Sequence, residues 1–499
     1  MVERVAVIGA GMAGLCTALA LGPTGRQITL YERDPPPPEG GAEEAFDHWA
    51  RRGVGHLRHS HGFLARIRGL FAREHPGLIE DLTAAGVRDI RLADSLPDAL
   101  RAKFQPKPED EELTAFVARR TTVELVMRRY VEAQPNIEIV SGVFVRKPII
   151  ERTGDAFVVI GLQVEDDKGV RDIAADLVVD SGGRASGGID ALCEAGVRID
   201  EEGEPCAILY YTRFYRFKAG QDEPPRGPHG GTGDLGYLKF GVFRADNHTF
   251  SITLAAPEVE QSLRMAVLRP EVFETICRAL PGVAPWTDPK RAEPISKVFG
   301  MGELMSRWRE FAPAGQASVL GYFPIGDALV RTNPLYGRGC SFAAVEAHVL
   351  RDVLEATADP AERLARYSAD VRRALRPYYD DMADQDRSAA RRALKGLDPD
   401  YRPSLRSRLA ASFALDGLGI AVRTDVDLLR EALRAFHMLD PPRDWVRRPS
   451  TIAKALAVWA RGRAANAALA IPKAGPDRAE MFKLLDLPTL ADFERLKAA

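Results

Sequence analysis

The residues with the most specific chemical implication lie near the N-terminus, where three glycines follow a short apolar run. The run over residues 4–8 leads into the series Gly9-Ala-Gly11-Met-Ala-Gly14. In this spacing Gly9 allows a tight turn, Gly11 lets the backbone approach a pyrophosphate, and Gly14 lets a helix pack closely on a strand. The N–H groups at the start of that helix would bind the phosphates. The segment therefore predicts a dinucleotide site.

An acidic residue downstream supports this prediction. Residues 28–32 form a second apolar run, predicted to be a strand, which ends at Glu32. A carboxylate about 20 residues after the glycines can accept hydrogen bonds from the ribose hydroxyls of an adenosine. Residues 231–236 repeat the glycine spacing but are followed by an extended pattern and no helix. We interpret this second copy as a turn between strands.

A second glycine-rich segment far along the chain distinguishes between dinucleotides. A strand-like run over residues 318–325 ends at Gly326-Asp327, and Asn333-Pro-Leu-Tyr-Gly-Arg-Gly339 then precedes a predicted helix. A carboxylate at a strand end suits the ribityl hydroxyls of a flavin. A helix start suits the isoalloxazine edge that becomes anionic on reduction, because the positive end of the helix dipole lies there. NAD has no ribityl chain, so the second segment favours FAD.

Together these motifs resemble the FAD-dependent monooxygenases with the p-hydroxybenzoate-hydroxylase fold, over about residues 1–356. The segment Arg58-His-Ser-His61-Gly-Phe-Leu is similar to the branch that holds the flavin epoxidases of polyketides and related oxidoreductases. The resemblance implies an α/β fold (α+β overall), in which a Rossmann-like FAD-binding domain is interleaved with a β-sheet substrate domain and followed by a C-terminal helical region.

The resemblance also implies domain boundaries. The FAD-binding domain is expected at 1–190, with 53–104 reaching toward the substrate domain, and its flavin end at 305–356. The β-rich substrate domain is expected at 191–304 and the helical region at 357–499.

The family's cofactor contacts can be carried over to matching positions. Residues 118–124 look like the family's Arg-x-x-Leu-Glu helix start, and residues 176–184 are similar to its mid-chain strand and turn. The residues expected to bind FAD are Gly9, Gly11, Met12, Ala13, Gly14, Glu32, Arg33, Arg120, Val143, Asp180, Gly183, Gly326, Asp327, Pro334, Gly337, Gly339 and Cys340.

Two departures from the family pattern affect the chemistry. Gly182-Gly183 stands where aromatic hydroxylases usually carry Asp-Gly, which serves both FAD and the pyridine nucleotide. NADH or NADPH is therefore one candidate electron donor, and a separate flavin reductase is another. Arg338 stands where the epoxidase-like branch commonly has glutamine, and we expect it to add positive charge near the flavin edge.

The activity implied by the resemblance is oxygen transfer. Reduced FAD would react with molecular oxygen to give a flavin hydroperoxide, which would hydroxylate or epoxidise an apolar substrate such as a polyketide, isoprenoid or aromatic compound. The cofactor carries out the difficult step. The protein must exclude water and hold the reacting atom close. No catalytic triad is therefore expected.

Three other activities compete with this interpretation. An FAD-dependent reductase that saturates isoprenoid-type double bonds shares the scaffold, and a non-catalytic flavin-binding protein is a second alternative. A halogenase would need a Trp-x-Trp motif, but the five tryptophans are isolated.

Candidate residues for the reacting region come from two segments. Arg58 and His61 are predicted to support the flavin electrostatically, since a fixed cation stabilises an anion nearby. No metal site is predicted, because the histidines at 56, 59 and 61 have no further ligands at suitable spacing. In the predicted sheet, Tyr211, Tyr215 and Phe240 are candidates for the substrate wall.

Composition limits the remaining possibilities. The 499 residues carry a net charge of −2 and are 45% apolar, which excludes general disorder and argues against a nucleic-acid binder. The first residues enter a strand without a signal-peptide layout, so we expect a cytoplasmic protein. Residues 450–471 predict a basic amphipathic helix. Packing on the FAD-binding domain is its expected fate, and contact with a membrane surface is the less favoured alternative.

Overall fold

The fold is described from a computed structural model over residues 2–398 and 400–488. The last part of the predicted C-terminal region, residues 489–499, lies outside the described residues. The strands of the described chain are β1 (Arg4–Ile8), β2 (Gln27–Glu32), β3 (Arg88–Ile90), β4 (Ala115–Val117), β5 (Ile137–Ser141), β6 (Phe144–Thr153), β7 (Ala156–Asp166), β8 (Gly169–Ala174), β9 (Leu177–Asp180), β10 (Asp200–Pro205), β11 (Ile208–Phe217), β12 (Thr232–Asp234), β13 (Lys239–Arg244), β14 (Thr249–Pro257), β15 (Ala292–Pro294), β16 (Phe299–Met301), β17 (Met305–Glu310), β18 (Tyr322–Pro324) and β19 (Val330–Arg331).

The helices alternate with strands in the first half and follow one another without strands after residue 339. They are α1 (Met12–Leu21), α2 (Ala42–His48), α3 (Ala65–Glu74), α4 (Pro76–Ala84), α5 (Leu92–Ser95), α6 (Asp98–Arg101), α7 (Arg120–Glu132), α8 (Gly187–Glu194), α9 (Gln261–Ala266), α10 (Pro270–Ala279), α11 (Gly339–Ala356), α12 (Pro360–Leu397), α13 (Leu405–Ser412), α14 (Gly419–Thr424), α15 (Val426–Phe436), α16 (Asp444–Arg447), α17 (Pro449–Ala460), α18 (Gly462–Ala465) and α19 (Arg478–Leu484).

A five-stranded parallel sheet in the order β18-β9-β1-β2-β5 forms the centre of the FAD-binding domain. Its register aligns Ile8 with Tyr31 and with Asp180, and Asp180 with Pro324. The carboxyl ends of four strands therefore meet at one edge, which is where ligands bind in open α/β sheets. The strands are largely buried, because α1 and α7 contact the sheet, α11 packs on α1, and β7 contacts β9. The predicted α/β fold is confirmed.

The region predicted to form the substrate domain contains a six-stranded antiparallel sheet in the order β12-β13-β14-β11-β15, with β16 also pairing with β11. The predicted turn at 231–236 lies here, with β12 and β13 on either side of a glycine at φ +83°, Gly236. One face of the sheet packs on α9 and α10 in a hydrophobic core. The other face contacts the segment over residues 56–62, which we call the histidine loop.

The C-terminal helices pack against two different parts of the chain. Helix α12 packs on α11, with Leu364, Tyr367 and Val371 buried between them. Helix α17, which covers most of the predicted amphipathic helix, packs on the segment over residues 413–418 through Trp459 and not on the FAD-binding domain. In the part of the chain that the structure describes, no helix combines the length and apolar character needed to cross a membrane.

Candidate functional site

The first glycine turn, residues 9–14, is held by backbone contacts. Gly9 has a φ of +87°, and a Cβ placed on Gly14 would lie 2.0 Å from the carbonyl oxygen of Gly9. The hydroxyl of Ser181, which follows β9, donates to the carbonyl oxygens of Ile8 (2.6 Å) and Gly9 (3.1 Å). No side chain caps the start of α1. The first N–H groups of a helix have no intrahelical partner. Those of α1 therefore lack both kinds of partner, and they face the edge where the strands end.

The second site element begins directly against the first. Gly326 has a φ of +66°, and a Cβ placed there would lie 2.8 Å from the Cβ of Ala13 in the first turn of α1. The N–H of Gly326 donates to Oε2 of Glu346 at 2.5 Å. Asp327 follows at once, so its backbone lies next to the segment that contacts the first turn of α1. Burial raises the pKa of Asp327, and the nearby Arg331 and Arg120 oppose this shift.

The second glycine turn, residues 333–339, leads into α11. Gly337 has a φ of +63°, and Gly339 opens the helix without a side-chain cap. A Cβ on Gly337 would lie 3.6 Å from the Cα of Gly62, so the histidine loop packs directly on this turn. The chain thus brings two uncapped helix starts to one region, although more than 300 residues separate them.

A buried network of charges surrounds Glu32. Glu32 accepts hydrogen bonds from the N–H groups of Ala10 (2.8 Å) and Asp34 (3.0 Å). The guanidinium of Arg51 donates to Glu32 (3.1 Å) and to Glu124 (3.0 Å), and its side chain is 1% exposed. Arg51 was not among the predicted site residues. A lone arginine in a loop carries no distinguishing spacing, so the sequence alone could not have identified it.

Arg120 lies at the centre of the histidine cluster. Its Nη1 donates to His56 (3.1 Å) and to Nε2 of His61 (3.2 Å), and its Nε donates to Glu124 at 2.6 Å. Burial lowers the pKa of His56 and of His61 well below the usual value, and the charge of Arg120 acts in the same direction. Both rings are therefore neutral at physiological pH and can accept hydrogen bonds from the arginine.

The tautomer of His61 follows from its two contacts. Its Nδ1 lies 2.9 Å from the carbonyl oxygen of His59, which can only accept, so Nδ1 carries the proton. Nε2 then accepts from Arg120. The imidazole is thereby held in one orientation within the cluster that lies against the second glycine turn.

A row of hydroxyl groups joins the histidine loop to the substrate sheet. Nδ1 of His59 lies 3.0 Å from Oγ1 of Thr212, which lies 2.8 Å from Oγ1 of Thr253. The hydroxyl of Ser60 lies 2.7 Å from those of Ser251 and Thr253. Burial lowers the pKa of His59 to about 4, so this ring is neutral as well. The sheet face toward the site therefore carries polar groups.

The predicted substrate residues lie on the opposite face of the sheet. Tyr211, Tyr215 and Phe240 are buried in the core between the sheet and the helices α9 and α10. The alternation predicted correctly that Tyr211 and Tyr215 share a face, and strand pairing aligns Phe240 with them through Leu254. The face toward the histidine loop is the other one, which carries Thr212. The prediction that these three residues line the substrate wall is therefore corrected, because they belong to the hydrophobic core.

Arg58 and Arg338 differ from their expected places. The guanidinium of Arg58 donates to the carbonyl oxygens of Phe46 (2.6 Å) and Trp49 (3.2 Å), at the end of α2. Unpaired carbonyls at a helix end attract a cation, which explains the position. Arg338 points to α12, where it lies between the rings of Tyr336 and Tyr378 and does not add free charge at the start of α11.

The remaining predicted cofactor residues are distributed over the same edge. The N–H of Val143 donates to the carbonyl oxygen of Glu32 at 3.0 Å. Asp180 accepts from the N–H of Gly182 at 2.9 Å and from the hydroxyls of Ser186 and Tyr322, so it anchors its own turn. Met12 and Cys340 are buried at the starts of α1 and α11. Pro334 opens the second glycine turn, and Arg33 is exposed after β2. Gly183 has a φ of +76°, and a Cβ there would meet no atom within 4 Å.

A sizeable cavity of the described chain lies elsewhere. It measures about 580 Å³ and is lined by residues of β10, β17 and α12, among them Trp308, Arg372 and Glu310. None of the predicted site residues lines it. Its charged side chains are already paired with one another, as in the contact between Arg372 and Glu310. It is therefore a surface groove separate from the candidate site.

The residues present fit FAD on two observations. The guanidinium of Arg51 lies 3.8 Å from a Cβ placed on Gly11, and its buried Nε makes no hydrogen bond in the described chain, although it lies 3.5 Å from Oδ2 of Asp34. A pyrophosphate oxygen would satisfy such a donor. At the other end, Asp327 and the glycine start of α11 offer an acceptor and a positive helix end to the flavin.

Comparisons with known proteins agree with this assignment. Residues 4–88 match the family model described as FAD dependent oxidoreductase. Protein Rv3254 of Mycobacterium tuberculosis (strain ATCC 25618 / H37Rv) is 28% identical over 457 residues, which cover 88% of this chain and 90% of that protein. The family match thus supports the prediction that the protein is an FAD-dependent oxidoreductase.

Two solved structures share the fold. The p-nitrophenol 4-monooxygenase PnpA from Pseudomonas putida DLL-E4 has a TM-score of 0.57 at 18% identity, over 90% of this chain and 99% of that one. The anhydrotetracycline hydroxylase OxyS from Streptomyces rimosus has a TM-score of 0.55 at 20% identity, over 88% of this chain and 76% of that one. At these identities the likeness establishes the fold alone.

Proposed function

We propose that this chain is an FAD-dependent monooxygenase that transfers one oxygen atom from dioxygen to an organic substrate. The observation that carries the proposal is the contact between Ala13, in the first turn of α1, and Gly326, which directly precedes Asp327 and the second glycine turn. An adenosine, a pyrophosphate, a ribityl chain and an isoalloxazine need such a succession of contacts. The match of residues 4–88 to FAD-dependent oxidoreductases supports the same cofactor.

Each end of the site has its own task in this proposal. Glu32 accepts hydrogen bonds from the adenosine ribose, and the first N–H groups of α1 bind the pyrophosphate together with Arg51. Asp327 accepts from the ribityl hydroxyls. The start of α11 stabilises negative charge on the ring edge. When bound, FAD supplies the redox chemistry through which dioxygen is activated.

The histidine loop excludes water and orients polar groups. His56, His59 and His61 are neutral, so they hold hydrogen bonds without adding charge. Arg120 supplies the positive charge of the cluster, and Glu124 raises its pKa although burial opposes this. A fixed cation close to the second glycine turn favours the anionic form of a reduced ring.

The substrate proposal follows from the corrected sheet face. Thr212, Ser251 and Thr253 present hydroxyls toward the histidine loop, and Phe214 lies on the same face, where it contacts Phe46. We propose a substrate with an aromatic or polyketide-like body and a hydroxyl or carbonyl group that bonds to this row. The names of PnpA and OxyS, which refer to p-nitrophenol and anhydrotetracycline, support hydroxylation of such molecules over epoxidation.

The proposal is tested by supplying the purified protein with a reductant and comparing substrate turnover in the presence and in the absence of oxygen. The protein should contain or take up FAD, and NADH, NADPH or a separate flavin reductase should reduce it. Oxygen consumption should rise with a phenolic or polyketide substrate, and the product should gain one oxygen atom by mass. Turnover of an alkene without oxygen would instead identify a reductase. Failure of the wild-type chain to bind FAD would refute the proposal.

A further inference from the structure

Three side chains of the second glycine turn are fastened to the C-terminal helix α12. Asn333 donates from Nδ2 to Oδ1 of Asp386 at 2.8 Å, and the hydroxyl of Tyr336 donates to the same oxygen at 2.8 Å. Arg338 donates to the carbonyl oxygen of Tyr378 at 3.2 Å. The turn that opens α11 thus depends on side chains more than 40 residues downstream.

Asn333 also links the turn to the substrate sheet. Its Oδ1 accepts from the hydroxyl of Tyr210 at 2.5 Å and from the N–H of Leu335 at 3.0 Å. Tyr210 belongs to β11, on the face that carries Thr212. One amide group therefore connects the substrate sheet, the second glycine turn and α12, and it is 1% exposed.

We propose that α12 is part of the FAD site and that Asp386 is a positioning residue, which holds the second glycine turn in its binding conformation through Asn333 and Tyr336. This inference rests on the proposed function, because it assumes that the turn contacts the flavin. It gives the C-terminal helical region a role that the sequence did not indicate.

The environment of Asp386 supports a positioning role. Its Oδ2 is buried and has no partner in the described chain. It borders a cavity of about 20 Å³ lined also by Cys206 and Leu335, a volume that can hold one water molecule. Burial raises the pKa of Asp386 to about 6, while the bonds from Tyr336 and Asn333 lower it, so the group is mainly a carboxylate at neutral pH. The charge then strengthens both hydrogen bonds that it accepts.

The test compares Asp386→Ala with Asp386→Asn by titrating the full-length apoprotein with FAD. The alanine removes the oxygen that accepts both hydrogen bonds, and we expect the Kd for FAD to rise about tenfold or more, with a changed flavin absorbance spectrum. The asparagine keeps a carbonyl oxygen for Asn333 and Tyr336, so it should restore most of the affinity. A merely structural role would lower the unfolding midpoint without this rescue of the spectrum.

Asp384→Asn is the matched control. Asp384 lies on the same helix, and in the described chain it bonds to the half-exposed side chains of Arg387 and Arg443 and not to the second glycine turn, so the FAD affinity of this variant should equal that of the wild type. If Asp386→Ala does not fold, the isosteric variants Tyr336→Phe and Tyr210→Phe provide the same test. Each removes one hydroxyl donor and should raise the Kd about threefold or more.

The outcomes separate the two proposals. Wild-type affinity and spectrum in the Asp386 or tyrosine variants, with FAD bound by the wild-type chain, would overturn only the role of α12. No FAD binding by the wild-type chain would overturn the proposed function itself.

Discussion

The two glycine turns of the site are held in different ways. At the first, the close approach of Gly14 to the carbonyl of Gly9 leaves no space for a side chain, and the neighbouring strands supply the rest. At the second, Gly337 and Gly339 lie in a turn fixed by side chains of β11 and α12, such as Tyr210 and Asp386. The first turn is thus fixed mainly by close backbone packing, with Ser181 and Glu32 bonded to it, and the second mainly by hydrogen bonds from distant side chains.

Because the two turns are held differently, we expect them to respond differently to substitution. Backbone contacts fail all at once, because a Cβ that overlaps a carbonyl oxygen cannot be accommodated without moving the strand or the helix. A set of separate hydrogen bonds weakens step by step, by about 1 kcal/mol for each bond lost. The following predictions test this distinction.

The largest effect is expected from Gly14→Ala. Its Cβ would lie 2.0 Å from the oxygen of Gly9 and 2.9 Å from Oγ of Ser181, so the variant should lose more than about 3 kcal/mol of unfolding free energy. Denaturant unfolding followed by circular dichroism measures this. The control is Gly69→Ala, within α3, where a Cβ meets no atom within 4 Å and alanine should not destabilise. Equal stability of both variants would contradict the local account of the first turn.

Gly11→Val should abolish FAD retention with a much smaller loss of stability. A Cβ at Gly11 makes only ordinary contacts, 3.8 Å to Arg51 and 4.0 Å to Val54, but it enters the space reserved for the pyrophosphate. We expect the Kd for FAD to rise about a hundredfold or more, measured by the flavin to protein absorbance ratio after purification. Recovery of fully yellow protein would contradict the phosphate assignment.

Glu346→Gln should change how stability depends on pH. Burial raises the pKa of Glu346 to about 8 in the folded state, against an ordinary value of 4.5. The folded chain then binds one proton more than the unfolded chain between these values. Stability therefore falls as pH rises from about 4.5 to about 8, by at most about 1.4 kcal/mol per pH unit from this group.

Glutamine keeps an acceptor for the N–H of Gly326 but does not titrate. The wild type should therefore lose stability relative to Glu346→Gln across that range and show no further relative change above it. Thermal unfolding of both proteins at several pH values measures the difference. Parallel pH profiles would show that Glu346 does not retain its proton in the fold.

The smallest effects are expected on the two faces of β11. Thr212→Val keeps the side-chain shape but removes the hydroxyl that lies against His59 and Thr253, so the KM of the substrate should rise about fivefold. Tyr211→Phe, on the core face, should change it less than about twofold. Substrate-dependent oxygen consumption measures both. A larger effect at Tyr211 would restore the sequence-based assignment of the substrate wall.

The prediction of the substrate wall shows where sequence reasoning ended. Alternation along β11 identified two faces correctly, because side chains of a strand point to opposite sides in turn. It could not decide which face lies toward the histidine loop. That depends on α9 and α10, which follow later in the chain and cover the face of Tyr211 and Tyr215. The aromatic face became the core because apolar surface is most stable away from water.

The partners of the charged side chains could not be predicted from the sequence either. Arg58 and Arg338 were expected near the flavin, but each found carbonyl oxygens at helix α2 or α12. Arg51, which bonds to Glu32 within the predicted adenosine end, was not foreseen. Long side chains with several donors bond to whichever acceptors the fold brings near, and a position in the chain does not specify those.

The sequence by itself determined the β1-α1-β2 unit with Glu32 at its edge, and the existence of a second glycine-opened helix. Both depend on short-range geometry, since Gly9 needs a positive φ and Gly14 needs the absence of a Cβ. Only the tertiary structure decided that Gly326 lies against Ala13, that the polar face of β11 lies toward the histidine loop, and that α12 holds Asn333. These contacts join segments from about 50 to more than 300 residues apart, and their partners are selected by packing of the whole chain.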